Sequence, residues 1–449
     1  MSPVRTLTRP ATWAALAACP LLVTPTLVPA AAGAAAPAPT GRVIATSTVD
    51  NGYAHERGSL VLIGGALKSN REIVQRIVDL ADPDGAGPLR ARIAIVTAAA
   101  APAATAAAAA DSTLNNAAAN GLFYSALFAS YGAETYAVPI DTTQDAFVGD
   151  TYGPAGANSA VVAKQVRRST GVFFGGGDQT DYVRTMLACQ PAADEAYTSC
   201  RQSRVLKAVD KVLRADGVVA GVSAGTTIQQ GADMVTGGES YEGWRDGAEP
   251  GYFDDGAKLG YLPYGGFGFF NYGLLDSHFG TWGRQARMIK LAQQTGHRQV
   301  VGVDETTALV VDRASGAGEV IGRNGVSVLT VDAVDPGADW SYLTRGDRVD
   351  LATGDVTPAA DAIDVVREGA GPAERADIWD SVAADAPGIY SLVDQAIALV
   401  TSAATVATGT TLETDPQYVT TLTSEPSTTT WETSAGFSFA HLDLAIAPR

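Results

Sequence analysis

A chain of 449 residues with 46% hydrophobic content is long enough for two to three domain equivalents and carries ample apolar material for a large core. Its formal charge of −17 argues against recognition of nucleic-acid phosphates and is compatible with a cationic substrate. With four histidines and no C-x-x-C or H-E-x-x-H spacing, neither a metal site nor another cofactor is expected.

The N-terminus carries Arg5 and Arg9, an apolar run over 11–28, and small residues leading into a Pro-Ala stretch. This is the pattern of a secretory signal over 1–36, cleaved within 30–36 and followed by a linker over 37–58, so an extracellular protein is expected. Pro20 and Pro25 interrupt the apolar run and argue against stable membrane insertion. Leu16-Ala17-Ala18-Cys19 is similar to a bacterial lipobox and makes lipid attachment through Cys19 the alternative. Once the signal is removed, only Cys189 and Cys200 remain, and export predicts a disulfide between them. That bridge is expected to staple a surface loop joining two helices.

From residue 59 the pattern becomes regular. SLVLI (59–63) reads as a strand ending in Gly64-Gly65, and 70–80 as an amphipathic helix with Ile73, Val74, Ile77 and Leu80 on one face. RIAIVT (92–97) is the next buried strand, followed by an Ala-rich run, a helix near 115–131 and a strand over 134–140. A helix over 160–170, strand GVFF (171–174), a helix over 181–188, the Cys loop and a helix over 204–215 come next. Strands alternating with helices predict an α/β protein with a doubly wound, mostly parallel sheet of flavodoxin-like type, whose ligands sit at the carboxyl ends of the strands. Beyond 357, helices over 373–383 and 389–403 and alternating segments such as FSFAHLDLAI predict a small C-terminal α+β extension (357–449) on a catalytic domain spanning 59–356.

The chemistry gathers at strand ends. Strand 218–222 runs into Gly221-Val222-Ser223-Ala224-Gly225, the G-x-S-x-G pattern of a nucleophile elbow, which presents a strained serine hydroxyl. Its next amide, that of Ala224, opens a helix where an oxyanion can be stabilised. Gly175-Gly176-Gly177-Asp178-Gln179 caps GVFF, and the N–H groups of Gly176 or Gly177 could complete that hole; a tight turn capping the next helix through Asp178 is the plainer reading. His278 ends the strand at 274–277 and suits the role of base. Asp304-Glu305 ends VVGV, and either acid could orient the imidazole. The stretch 239–270 holds Glu239, Glu242, Asp246, Glu249, Asp254 and Asp255 among aromatic residues, and reads either as an acidic cleft wall or as a solvated Gly-rich loop.

Taken together, VLIGGAL (61–67), FFGGGDQ (173–179), GVVAGVSAGT (217–226), LDSHFGTWGRQAR (275–287) and GVDETTALVV (302–311) resemble the cyanophycinase-like serine peptidases, relatives of aspartyl dipeptidase with a class I glutamine amidotransferase-like fold. The blocks stand in family order, and the resemblance spans about two thirds of the chain. It implies a Ser223–His278–Glu305 triad, a substrate pocket with contributions from Gln179, Asp276, Arg284 and Arg287, and hydrolysis of aspartyl-containing peptides such as the β-aspartyl-arginine units of cyanophycin. Two positions depart from the family pattern. Ser277 stands where a glutamine is usual, and Trp282 where an arginine is usual. The second departure predicts weak cleavage of cyanophycin, improved by Trp282→Arg, because an indole stacks on flat or apolar groups but cannot pair with a carboxylate.

The expected partner is thus a peptide substrate, without nucleic acid, and self-association into a homodimer is compatible with the sequence. Two further readings compete. One is an α/β-hydrolase-type esterase using Ser223, Asp304 and His441 in the order Ser…Asp…His. The other is a non-catalytic binding protein on the same fold.

Overall fold

The computed structural model describes residues 57–449 apart from 69, 83, 86–89, 191–195, 252–257 and 381–388. The signal sequence, Cys19, most of the linker, and Asp254 and Asp255 lie outside the described residues.

The first nine-stranded sheet explains why the early strands are apolar throughout. Its parallel half runs, in spatial order, Ser59–Ile63, Val218–Val222, Gly171–Phe174, Arg92–Val96 and Glu134–Val138. Alternate residues of these strands enter two different cores, Leu60 and Leu62 on one face and Val61 and Ile63 on the other. Helix Arg71–Ala81 covers the second face through Ile73, Val74, Ile77 and Val78, joined by Phe128 of helix Ala117–Ala129. Helices Ala160–Val166, Gln179–Met186 and Arg204–Arg214 cover the first. A parallel sheet buried on both faces needs continuous hydrophobic strands, which is what these segments supply. Four further strands, Thr307–Asp312, Ala317–Gly322, Arg348–Asp350 and Val356–Thr357, extend it antiparallel from Ser59–Ile63.

The strands that precede His278 and Asp304 are not in that sheet. Leu274–Ser277 and Gln299–Val303 pair parallel at one edge of a second sheet, continued antiparallel by Val326–Val331, Gly337–Leu343, Gly436–Pro448, Tyr418–Thr433 and Val406–Thr410. The single sheet read from the sequence is therefore two. One face of the second sheet, through Leu275, Val301, Val303 and Val328, shares a core with the first sheet. Its other face packs on helices Gln285–Thr295 and Ser391–Val400.

The segment beyond 357 supplies most of this second sheet. Its long hairpin buries alternate residues, among them Leu442, Leu444 and Ile446, and pairs directly with Gly337–Leu343. It is continuous with the sheet that carries the His278 strand. The helix expected over 373–383 is absent from its described part, 373–380; Arg375–Ala376 instead forms a short parallel pair, and Asp377 and Asp380 take φ of +55° and +54°, which interrupt a right-handed helix. The disulfide expected between Cys189 and Cys200 is present, and the residues around it are strands. Leu187–Gln190 and Ser199–Gln202 form an antiparallel pair in which Cys189 and Cys200 face one another and are disulfide-bonded. The stretch 239–270, read as a cleft wall or a solvated loop, contains among its described residues helix Ser240–Asp246 and strands Ala248–Pro250 and Leu259–Leu262, which form a three-stranded sheet with Met234–Gly237.

Candidate catalytic site

Three successive carbonyls at the end of strand Ser59–Ile63 hold the backbones of the candidate residues. The Ser223 N–H donates to Ile63 O at 2.9 Å, the His278 N–H to Gly64 O at 2.8 Å, and the Thr306 N–H, next to Glu305, to Gly65 O at 2.9 Å. Each of these residues carries a left-handed φ, +56° at Ser223, +52° at His278 and +58° at Thr306. Such conformations cost about 1–3 kcal/mol each and persist only where the surroundings enforce them. Glycines make the close approach feasible. A Cβ on Gly225 would lie 2.2 Å from Phe174 O, and one on Gly65 would lie 2.3 Å from Cε1 of His278.

The side chains form one connected chain. Ser223 Oγ is 2.7 Å from His278 Nε2, and His278 Nδ1 is 2.7 Å from Glu305 Oε1. A serine donating to Nε2 and an Nδ1–H donating to the carboxylate require the neutral imidazole. Burial first, and the charge of Arg284 second, push His278 below the ordinary histidine value, while its bond to Glu305 opposes them. The base form therefore prevails at neutral pH. Ala224 opens the short helix after Ser223. The backbone at Gly176 runs alongside the serine, since a Cβ there would be 3.3 Å from Ser223 Cβ and 3.9 Å from Oγ. Gly177, at φ +144°, packs on Ala99 O, and Asp178 caps helix Gln179–Met186 through the Thr180 N–H.

Asp304 occupies a different environment from Glu305. It is fully buried, accepts from the Gly280 N–H at 2.6 Å and from Tyr342 Oη at 2.8 Å, and burial raises its pKa to about 6. His441 lies in the second sheet with its Nδ1 3.2 Å from the Asp339 carboxylate. The set Ser223, Asp304 and His441 is not assembled, because the imidazole on Ser223 is that of His278.

A cavity of about 460 Å³ opens in front of Ser223 and His278, lined by Gly177, Gln179, Glu239, Trp282, Arg284 and Arg287 among others. Asp276, 1% exposed, lies behind it and accepts from Arg287 Nη2 at 2.7 Å, Arg287 Nε at 3.1 Å and Arg284 Nη1 at 3.1 Å. Burial alone would raise its pKa, but the two guanidinium groups outweigh it and hold the carboxyl below its ordinary value. Arg287 also donates to Gly238 O, so each of its three guanidinium nitrogens bonds the protein. Arg284 donates to Ser277 O and keeps a buried Nε without a partner among the described residues. Arg284 and Arg287 thus both line the cavity while sharing the Asp276 carboxylate. Gln179 spends its Nε2 on the carbonyls of Val235 and Thr236. Ser277, in the place of the usual glutamine, meets Thr227 with their hydroxyls 3.2 Å apart.

Trp282 is 43% exposed and stacks on His278, ring centroids 4.9 Å apart and planes 20° from parallel, with Arg284 Cζ 4.7 Å from the indole centroid. It is a contact of the base as well as a cavity wall. Sequence reasoning missed the carbonyl ladder at Gly64-Gly65, although a glycine pair closing an apolar strand was a readable signal. It also missed Tyr342, Asn324 and Tyr390, which reach this region from distant segments without any local pattern.

No protein-family model matches the chain. Among solved structures, a peptidase from an acI-B1 Actinobacterium is similar at 17% identity and TM-score 0.42, over 66% of this chain and 98% of that one. A protein provisionally assigned as peptidase E from Listeria monocytogenes EGD-e is similar at 11% identity and TM-score 0.30, over 62% and 100%. At these scores neither likeness bears on the chemistry of the site.

Proposed function

We propose that the protein is a serine peptidase in which Ser223 is the nucleophile, His278 the base and Glu305 the carboxylate that orients and balances it. The observation that carries this reading is the unbroken hydrogen-bonded chain from Ser223 Oγ through the imidazole to Glu305 Oε1, at a strained strand-to-helix turn. Ser223 Oγ attacks the peptide carbonyl as its proton passes to His278 Nε2. The N–H groups of Ala224 and of Gly176 or Gly177 face the oxyanion. His278 then returns the proton to the departing amine, and water repeats the sequence on the acyl-enzyme.

The substrate proposed is a short aspartyl-containing peptide, cleaved outside the cell. Arg284, half-buried and lining the cavity, presents the guanidinium edge left to it by Asp276 and Ser277 and suits a single carboxylate. With Asp276 already holding both arginines, the cavity is poorly suited to a polyanionic ligand. Trp282→Arg loses its appeal as an improvement on this geometry, since it would set a third cation against His278 beside Arg284.

The test is hydrolysis of α- and β-aspartyl dipeptides and of cyanophycin by the full chain across pH. Hydrolysis requires neutral His278, whose pKa lies below the ordinary 6.5. Activity is therefore expected to fall as the pH drops and to reach half its plateau value below 6.5. Dipeptides should be cleaved faster than cyanophycin. A half-point above 6.5, or no aspartyl cleavage at any pH, would contradict the assignment.

A further inference from the structure

The segment beyond 357 hydrogen-bonds both loops of the candidate site through the hydroxyl of Tyr390. Tyr390, at φ +57°, is the N-cap of helix Ser391–Val400, and its Oη accepts from Thr281 Oγ1 at 2.7 Å and from Asn324 Nδ2 at 3.0 Å. Thr281 belongs to the turn that His278 opens, where the Trp282 N–H returns to His278 O at 3.0 Å. Asn324 Nδ2 donates also to Glu305 O at 2.8 Å and lies 3.2 Å from Thr306 Oγ1. One phenol therefore joins the turn that carries the base to the loop that carries the acid.

The surroundings hold that phenol in place. One helical turn later Val393 packs under the same His278 turn, its Cγ2 3.0 Å from where a Cβ on Gly280 would stand. Burial, and then the carboxylates of Asp304 and Glu305, raise the phenol pKa far above its ordinary value, so the group stays a neutral hydroxyl. A neutral hydroxyl accepts two hydrogen bonds, and here both are used.

We propose that Tyr390 is a positioning residue for the hydrolytic site, its hydroxyl fixing the separation between His278 Nδ1 and Glu305 Oε1 through Thr281 and Asn324. The inference rests on the Ser223–His278–Glu305 reading above. It gives the C-terminal segment a part in the reaction that the five motif blocks do not contain. Loss of the hydroxyl leaves the Thr281 and Asn324 donors without their shared acceptor and frees the two loops to separate, and displacements of about 1 Å at such a site cost up to about 10²-fold in rate.

The experiment uses an alkyl fluorophosphonate as the probe, with kinact and KI measured on the full chain and the modified residue located by peptide mass spectrometry. Tyr390→Phe, which removes only the hydroxyl, is expected to lower kinact about tenfold with KI unchanged. In a Glu305→Gln background the same change should have no further effect, because the contact it positions is already impaired. Thr281→Val should reproduce the loss, which guards against an effect of folding peculiar to position 390. Unchanged kinact in both Tyr390→Phe and Thr281→Val, or full multiplication of the two losses in the double variant, would overturn the proposal. Failure of the unsubstituted protein to be modified at Ser223 would instead overturn the reading on which it rests.

Discussion

Ser223→Ala is expected to abolish aspartyl-peptide hydrolysis, a loss on the order of 10⁴- to 10⁶-fold, with the fold retained. The magnitude follows from removing the attacking atom of a serine–histidine pair whose members act as a unit. Retention of the fold follows from the contacts made. The side chain of Ser223 bonds His278 alone among the described residues, whereas its backbone N–H on Ile63 O, which fixes the turn, is untouched by the change. Glu305→Gln should cost less than Ser223→Ala, because the amide can still accept from Nδ1–H but cannot balance the imidazolium. Asp304→Asn should cost less again, since Asp304 bonds Gly280 and Tyr342 and not the imidazole. Steady-state kinetics beside thermal unfolding of each variant separates these cases. A severe Asp304→Asn with a neutral Glu305→Gln would mean that the acid has been misassigned.

Gly65→Ala is expected to reduce hydrolysis by about 10²-fold or more while lowering stability by only about 1–3 kcal/mol. The added methyl would lie 2.3 Å from Cε1 and 2.6 Å from Nδ1 of His278. The ring cannot yield without breaking its bond to Ser223, its bond to Glu305 or its stacking on Trp282. The φ of +149° adds backbone strain that glycine alone avoids. The core under this turn is unaffected, because Ile63 and Val61 keep their contacts within the sheet. Circular dichroism and thermal unfolding should show a folded, slightly weakened protein whose kcat has collapsed. Wild-type activity in Gly65→Ala would show that the imidazole is held far less tightly than its three contacts imply.

Much of the site was legible because each candidate residue follows an apolar strand, and such strands announce their ends locally. VVAGV before Ser223, LLDS before His278 and VVGV before Asp304 are each buried along their whole length. Their assignment to two sheets was not legible. A fully buried strand such as Gln299–Val303 has the same pattern whichever neighbour it takes, and its partner Val326–Val331 is chosen by tertiary packing. The alternation in FSFAHLDLAI did predict a strand, yet not that it would pair with Gly337–Leu343, about a hundred residues earlier. Charge was misleading in the cavity for a related reason. Asp276, Arg284 and Arg287 read together as pocket residues, but only folding shows that the carboxylate pairs with both guanidinium groups. Residue pattern alone left Asp304 and Glu305 open, because adjacent residues leave a strand end in opposite directions and the register decides which one meets the imidazole; only the family resemblance favoured Glu305.

The most direct measurement of the central claim is the site and rate of modification by an alkyl fluorophosphonate in the unsubstituted protein and in His278→Ala. The account requires a single adduct on the peptide containing Ser223, formed at least about 10²-fold more slowly once the imidazole is removed. An adduct on any other residue, or the same rate in both proteins, would show that Ser223 is not a nucleophile activated by His278.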